Sequence, residues 1–339
     1  MTNEMTPKEV FSRLGFAILS ISIINILLSV VLLRIAEIFS PGISMDSNFK
    51  VVISSITMYL IGMPVAYFIL KKIPKSEMPN KKIGIGKEIT ICICGYTMGI
   101  CTSFAAMEIN SLIGKMTGHG AVNPIQNTLM GANAFTLFCA VILAPIMEEL
   151  VFRKLVIDRI ACYGEGVAMI VSGLLFGLIH GNFQQASYAF VLGVFFAYVY
   201  LRTGRIIYTM IAHFFVNLVG SVASVLIGRI DLEKVNYYVT NGKMDEYTEY
   251  VYAHMDDFML IGLFAIVVIG IVLAGIILLI VNIKHFYFNS KEGELAEGKK
   301  FSTVILNPGF ITYIAYFVLM IVLAQFEISV ATSLIKLLM

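Results

Sequence analysis

Apolar residues occur in long runs along the chain, and short polar stretches separate the runs. A helix needs roughly 20 apolar residues to cross the hydrocarbon core of a bilayer, and most of the runs approach that length. The pattern therefore predicts an all-α, polytopic transmembrane bundle of about nine helices. The predicted helices span residues 14–33, 51–70, 89–107, 130–158, 166–181, 185–201, 206–228, 259–283 and 310–326.

The first of these runs resembles the apolar part of a signal peptide, because Lys8 and Arg13 precede it. It is too long for that part, and no small-residue cleavage site follows it. We therefore expect residues 14–33 to be retained as the first membrane helix.

Composition agrees with an integral membrane protein. Of the 339 residues, 58% are hydrophobic and 14% are charged, and the mean hydropathy is +0.87. This balance lies far outside that of soluble domains. The net charge of +2, without a basic stripe or a phosphate-binding glycine loop, predicts no nucleic-acid partner. We expect a multi-pass protein of the cell membrane; the pattern does not specify its oligomeric state.

The distribution of lysine and arginine predicts the orientation, because these residues are retained on the cytoplasmic side. With the amino terminus inside, the cytoplasmic segments hold 17 of the 24 Lys and Arg residues. The stretch between the second and third helices, residues 71–88, contributes most to this count. The sequence therefore predicts a cytoplasmic amino terminus.

The runs group into three segments. Residues 1–128 hold the first three helices, residues 129–228 hold helices four to seven, and residues 229–339 hold an outer loop and the carboxy-terminal helices. The last 14 residues, 326–339, are consistent with an extension of the ninth helix, a surface segment or a turn back.

Two polar stretches lie within the third segment. Residues 229–257 are acidic and tyrosine-rich, which predicts a solvated loop or a short surface helix at the membrane interface. Residues 289–300, with the sequence NSKEGELAEGKK, predict a flexible polar loop on the inner side.

Four ionisable side chains lie inside the predicted membrane helices, namely Glu148, Glu149, His180 and His213. Such groups cost about 3 kcal/mol each at the bilayer centre, so they usually face the bundle interior and mark functional sites. With about 1.5 Å of rise per residue, Glu148, His180 and His213 lie about 16, 21 and 12 Å from the cytoplasmic ends of their helices. Three helices therefore bring polar groups to similar depths.

Spacing along the fourth helix separates the two glutamates. Residues four apart share a helix face, so Glu149 faces Arg153 while the adjacent Glu148 points elsewhere. This pairing offers the arginine a partner inside the membrane. Pro145, one turn before the glutamates, predicts a kink in this helix.

The same spacing recurs on two more helices. His213 and Asn217 are four residues apart on the seventh helix, and Phe176 and His180 are four apart on the fifth. Two carboxylates, two imidazoles and an amide suit hydrolysis, because they can activate water, hold zinc and stabilise an oxyanion. They also suit a proton relay, so the residues alone leave both a hydrolase and a transporter open.

The polar residues form three motifs whose order resembles a known family. The motifs are Glu148-Glu149-x-x-x-Arg153, Phe176-x-x-x-His180 and His213-x-x-x-Asn217. Together they resemble the CPBP family, also called Abi proteins, which are intramembrane proteases related to the type II CAAX prenyl endopeptidases. The resemblance covers about residues 130–228, roughly a third of the chain.

The resemblance implies a peptidase that cleaves near the carboxyl end of a peptide or membrane protein, at a site open to the bilayer or the cytosol. It implies that Glu148 activates water and that His180 orients this water or a metal. His213 and Asn217 would stabilise the oxyanion, while Glu149 would support the site through Arg153.

The family is described with two mechanisms, one with a metal such as zinc and one without. The metal ligands would be Glu148, His180 and His213. A different class remains as the alternative, in which the chain is a non-catalytic membrane partner, an immunity or sensor-regulating protein that keeps the motifs.

Overall fold

The structure is a computed structural model that describes residues 5–117, 128–289 and 293–325. Within these ranges every regular element is helical, which confirms the all-α prediction. Eight of the described helices are long and apolar enough to span a membrane, in agreement with a multi-pass membrane protein. They are α1 (Pro7–Phe39), α2 (Ser47–Leu70), α3 (Ile85–Thr117), α4 (Ala134–Tyr163), α6 (Phe183–Thr203), α7 (Ile206–Ile227), α10 (Met255–His285) and α12 (Pro308–Gln325). The shorter helices are α5 (Glu165–Leu178), α8 (Leu232–Thr240), α9 (Met244–Ala253) and α11 (Glu297–Val304).

The fifth helix ends earlier than the sequence predicts. It was expected to span 166–181, but α5 ends at Leu178 and His180 lies in the turn that follows. Gly181 adopts a left-handed conformation with φ +65°, which favours glycine and breaks the helix. Asn182 then caps α6, because its side chain accepts a hydrogen bond from the Gln185 backbone N–H at 2.9 Å.

Each of the two polar stretches contains helical residues. The acidic stretch 229–257 holds α8 and α9, and the Asp231 side chain caps α8 by accepting from the Lys234 N–H at 2.9 Å. The prediction of a polar loop at 289–300 is wrong for residues 297–300, which form the first turn of α11. Lys300 pairs there with Glu294 at 3.2 Å. Residues 326–339 lie outside the described residues.

Glycines allow α5 to lie close against α6. A Cβ on Gly177 would lie 2.7 Å from the Ala186 carbonyl oxygen, and one on Gly193 would lie 2.8 Å from the Gly173 Cα. Small residues of this kind let helix backbones approach each other in membranes. This contact fixes the end of α5, and therefore the turn that carries His180.

The helix that carries the glutamates is widened on both sides of them. π-Helical turns at Cys139–Leu143 and Leu150–Ile157 flank the α-helical residues Ala144–Glu149. Pro145 has no N–H to donate, so the hydrogen-bond ladder must shift around it. Such π turns are frequent at functional sites.

Charged residues at the inner end of α4 have partners. Lys154 lies 3.0 Å from Asp158, and the Tyr200 hydroxyl donates to Asp158 at 2.7 Å. The guanidinium of Arg159 donates to the carbonyl oxygens of Leu70 and Leu155, each at 2.8 Å. These contacts compensate the cost of holding charge at membrane depth.

Candidate active site

Glu149 and Arg153 form a fully buried ion pair, as their spacing predicts. Arg153 Nε lies 2.9 Å from Glu149 Oε2, and a second guanidinium nitrogen donates to Oε1 at 3.2 Å. Both side chains are 0% exposed. The remaining guanidinium nitrogen donates at 2.7 Å to Ser172, whose hydroxyl donates to the Phe152 carbonyl oxygen. The pair therefore joins α4 to α5.

His213 lies between the two glutamates. Its Nδ1 is 3.1 Å from Glu149 Oε1, and its Nε2 is 3.7 Å from Glu148 Oε2. A carboxylate paired with arginine only accepts hydrogen bonds, so Nδ1 is the donor. The opposite ring nitrogen therefore faces Glu148, with the ring orientation fixed by the buried pair.

The Phe176 ring lies between the two histidines. It packs edge-on to His180 at 5.2 Å and to His213 at 5.6 Å between ring centroids. The guanidinium of Arg153 lies 5.3 Å from the same ring. His180 Nδ1 donates to the Phe176 carbonyl oxygen at 2.8 Å, since a carbonyl cannot donate. This leaves His180 Nε2 for other partners.

Asn217 is held by one hydrogen bond to α4. Its Nδ2 donates to the Ala140 carbonyl oxygen at 2.8 Å. Ala140 lies in the π-helical turn before Pro145, where the ladder is disturbed. An amide nitrogen carries two hydrogens, so one N–H of Asn217 remains after this bond.

These groups surround a cavity of about 500 Å³, within the usual size range of ligand pockets. Its wall includes Glu148, Phe176, His180, His213 and Asn217. Glu149 and Arg153 are not in the wall, because they lie behind His213. The structure therefore brings together four of the five residues that the sequence marks as catalytic and places Glu149 in a supporting position.

The zinc set predicted from the motifs does not appear as a metal site. Among the described residues, no three His, Cys, Asp or Glu side chains are grouped as a metal ion requires. His180 Nδ1 is bonded to the Phe176 carbonyl oxygen of α5 and His213 Nδ1 to Glu149, so only Nε2 of each ring is left for a metal. The side chains as placed do not fit a zinc ion, so zinc binding stays a prediction.

The cavity has walls that the motifs do not mark. Tyr59 on α2, Ser103 on α3 and Tyr188 on α6 line it, as do several small residues of α7. Ser172, which holds Arg153, also lies outside the motifs. A polar side chain in an apolar helix was the one signal for Ser172, and it is too common to single that residue out.

The division of the chain into segments 1–128, 129–228 and 229–339 stays a prediction.

Comparison with known families singles out the same helices. Residues 131–219 match the model of the type II CAAX prenyl endopeptidase Rce1-like family. The resemblance to the CPBP family is confirmed over these residues. We refer to residues 131–219 as the CPBP core. It contains all three motifs and the wall residues of α4 to α7 up to Asn217.

Curated proteins with related sequences carry peptidase names. The chain is 26% identical over 172 residues to the putative membrane peptidase YdiL of Bacillus subtilis, covering 48% of this chain and 68% of that protein. It is 33% identical over 100 residues to human CAAX prenyl protease 2, covering 23% and 30% of the two chains. It is 32% identical over 88 residues to the membrane-embedded CAAX protease MroQ of Staphylococcus aureus, covering 24% and 36%.

The likeness to the two CAAX proteases is therefore confined to about a third of each relative's length. No solved structure matches the chain significantly. The comparisons show that residues 131–219 resemble CAAX-protease-like membrane peptidases.

Proposed function

We propose that the chain is an intramembrane peptidase in which Glu148 activates the water that hydrolyses a peptide bond. The observation that carries the proposal is the presence of Glu148, His180, His213 and Asn217 on the wall of one cavity. The match of the CPBP core to an endopeptidase family supports it. The substrate is a peptide or a membrane protein, cleaved near its carboxyl end.

Glu148 is the general base. It is the site glutamate that reaches the cavity, and its side chain is 15% exposed, whereas Glu149 is 0% exposed. Its carboxylate takes a proton from water, and the water oxygen attacks the carbonyl carbon of the scissile bond. When the C–N bond breaks, the same proton passes from Glu148 to the departing amine. Such proton transfers contribute typically 10²–10⁴-fold to the rate.

Asn217 stabilises the oxyanion that forms on the scissile carbonyl, and His180 orients the attacking water. Asn217 has one N–H left after its bond to Ala140, and it is fixed in place by that bond. A donor fixed before the reaction costs no reorganisation when charge develops, which makes it effective in a low-dielectric cavity. Since His180 Nδ1 carries the ring hydrogen that bonds to Phe176, its Nε2 is left as an acceptor and takes a hydrogen bond from the attacking water.

Glu149, Arg153 and Ser172 are positioning residues. They hold His213 through Nδ1, so that Nε2 stays 3.7 Å from Glu148 Oε2. The charge of Glu149 is balanced by Arg153.

Digestion of a peptide library tests the proposal. The purified full chain, reconstituted in lipid, is incubated with peptides of varied sequence and with solubilised membrane proteins, and products are read by mass spectrometry. We expect new amino and carboxyl termini that arise from one preferred bond type. A folded, monodisperse chain that cleaves nothing across these substrates would contradict a peptidase and favour the non-catalytic membrane partner.

A further inference from the structure

The cavity extends from Glu148 in one direction only. On α4 its wall residues run from Glu148 back to Thr136, toward the start of the helix. On α7 they run from His213 onward to Ile227, which is the last residue of that helix. No described wall residue of α4 lies on the other side of Glu148. The reacting groups therefore lie at the closed end of the cavity.

These helix ends meet at one face of the bundle. A Cβ on Gly228, just after α7, would lie 2.8 Å from the Met130 carbonyl oxygen, just before α4. The Asn48 side chain at the start of α2 accepts from the Asn133 N–H at 2.9 Å and from the Thr136 hydroxyl at 2.6 Å. The stretch 229–257 follows α7 directly, so it lies at the same face.

Buried aromatic and charged side chains close the opposite end. The guanidinium of Arg153 lies 5.3 Å from the Phe176 ring and 5.8 Å from the Phe196 ring. Neither ring is more than 2% exposed. Beyond this layer, Tyr200 is fully buried and bonded to Asp158. A substrate that approached from the face carrying residues 71–88 would have to displace these contacts.

The cavity wall is open on the side away from these buried aromatic and charged residues. Gly220 is an exposed wall residue, and a Cβ placed on it would meet no atom within 4 Å. Met107 on α3 is a wall residue with 45% of its surface exposed. Gly220 lies beyond Asn217 in the direction of Ile227, so this opening is on the same side as the helix ends described above.

We infer that the substrate reaches Glu148 from the membrane face that carries residues 229–257, and not from the face that carries residues 71–88. The word substrate rests on the proposed function, whereas the direction of access rests on the cavity alone. The lysine and arginine count assigns residues 71–88 to the cytoplasm. The substrate is accordingly a peptide segment presented at the outer face, in contrast to the cytosolic or bilayer access that the family resemblance implies.

Thiol labelling of the full chain in the membrane tests the direction of access. Ser103→Cys and Ser221→Cys place thiols on the cavity wall. Phe104→Cys and Val222→Cys are matched controls, because each lies one residue further on the same helix and has an exposed side chain that is not part of the cavity wall. Thr240→Cys and Lys82→Cys mark the two faces. A small, charged, membrane-impermeant methanethiosulfonate is applied to spheroplasts and to inside-out vesicles, and the labelled peptide is identified by mass spectrometry, so the five native cysteines can stay.

We expect Ser103→Cys and Ser221→Cys to be labelled in the preparation that labels Thr240→Cys, while both matched controls stay unlabelled. Labelling in the preparation that labels Lys82→Cys would overturn the inference, and so would labelling in neither. Two wall positions on two helices keep the test valid if one variant does not fold. Because labelling needs no turnover, the direction of access can be confirmed even for a chain that fails to cleave peptides.

Discussion

At the scale of single residues, the pair Glu149–Arg153 explains how charge persists inside the membrane. Each partner balances the charge of the other, and Ser172 accepts from the remaining guanidinium nitrogen. Replacing a buried ion pair by apolar residues is often neutral for stability, while removing one partner is costly. The pair is therefore retained for what it positions, which is His213.

Removal of one partner should destabilise the chain more than removal of both. We expect Arg153→Ala to cost about 3–5 kcal/mol, because Glu149 is left as an unpaired buried charge. The matched double variant Glu149→Leu with Arg153→Met should recover most of that loss but stay impaired in peptide cleavage. The midpoint of thermal unfolding in detergent measures the difference. Equal midpoints for Arg153→Ala and the parent would contradict the role of the pair.

The placement of the histidines leads to a prediction about zinc. Because no three His, Cys, Asp or Glu side chains among the described residues are grouped as a metal ion requires, we expect a chelator to leave the cleavage rate unchanged. Elemental analysis of the purified chain should find no stoichiometric zinc. One zinc per chain, with activity lost on chelation and restored by zinc, would show that the side chains rearrange into the ligand set that the motifs predict.

At the scale of helices, close approach of α5 and α6 fixes the turn with His180. We expect Gly177→Ala to lower stability by about 1–3 kcal/mol, because the new methyl group would overlap backbone atoms of α6. Gly166→Ala on the same helix is the control, since a Cβ there meets nothing within 4 Å. Unfolding midpoints should fall for the first variant alone. A rise for both would show that α5 can move away from α6.

Helix positions follow from the sequence more readily than helix ends do. The apolar runs predict α1 to α7, α10 and α12, because a membrane span needs a fixed length of apolar residues. The end of α5 could not be predicted, since Gly181 takes its left-handed conformation in the context of the cap on α6. The sequence left residues 229–257 open to a loop or a short surface helix and predicted a loop where α11 begins, because short helices depend on packing rather than on propensity.

The sequence predicted those parts of the candidate site that follow from residue spacing within one helix. Glu149 with Arg153, and His213 with Asn217, are four residues apart, and helix geometry gives such pairs a common face. The contact of His213 with both glutamates depends on packing between α4 and α7, which spacing within one helix cannot specify. The direction in which the cavity extends also depends on that packing.

At the scale of the whole molecule, helices outside the CPBP core support the site. The Tyr313 hydroxyl of α12 donates at 2.6 Å to the Leu175 carbonyl oxygen, one residue before Phe176. In turn α12 packs along α1, where the Gly309 N–H donates to the Ser12 hydroxyl at 3.0 Å. The last described membrane helix therefore supports α5, and the first supports the last.

Loss of the Tyr313 hydroxyl should weaken this support. We expect Tyr313→Phe to lower stability by about 1 kcal/mol, the usual net value of one hydrogen bond, and to reduce the cleavage rate through movement of α5. Tyr316→Phe is the control, because the Tyr316 hydroxyl makes no hydrogen bond to the described residues. Unfolding midpoints and cleavage rates are measured for both variants and for the parent chain. Indistinguishable variants would contradict a supporting role for α12.

The central claim is that Glu148 activates water for peptide hydrolysis, and a rate comparison tests it most directly. The cleavage rate of one identified peptide is measured in the same lipid for the parent chain, Glu148→Gln and Glu88→Gln, the last being a glutamate of α3 that does not line the cavity. We expect Glu148→Gln to lose about 10²–10⁴-fold in rate with an unchanged unfolding midpoint, and Glu88→Gln to match the parent. Full activity in a folded Glu148→Gln chain would contradict the claim.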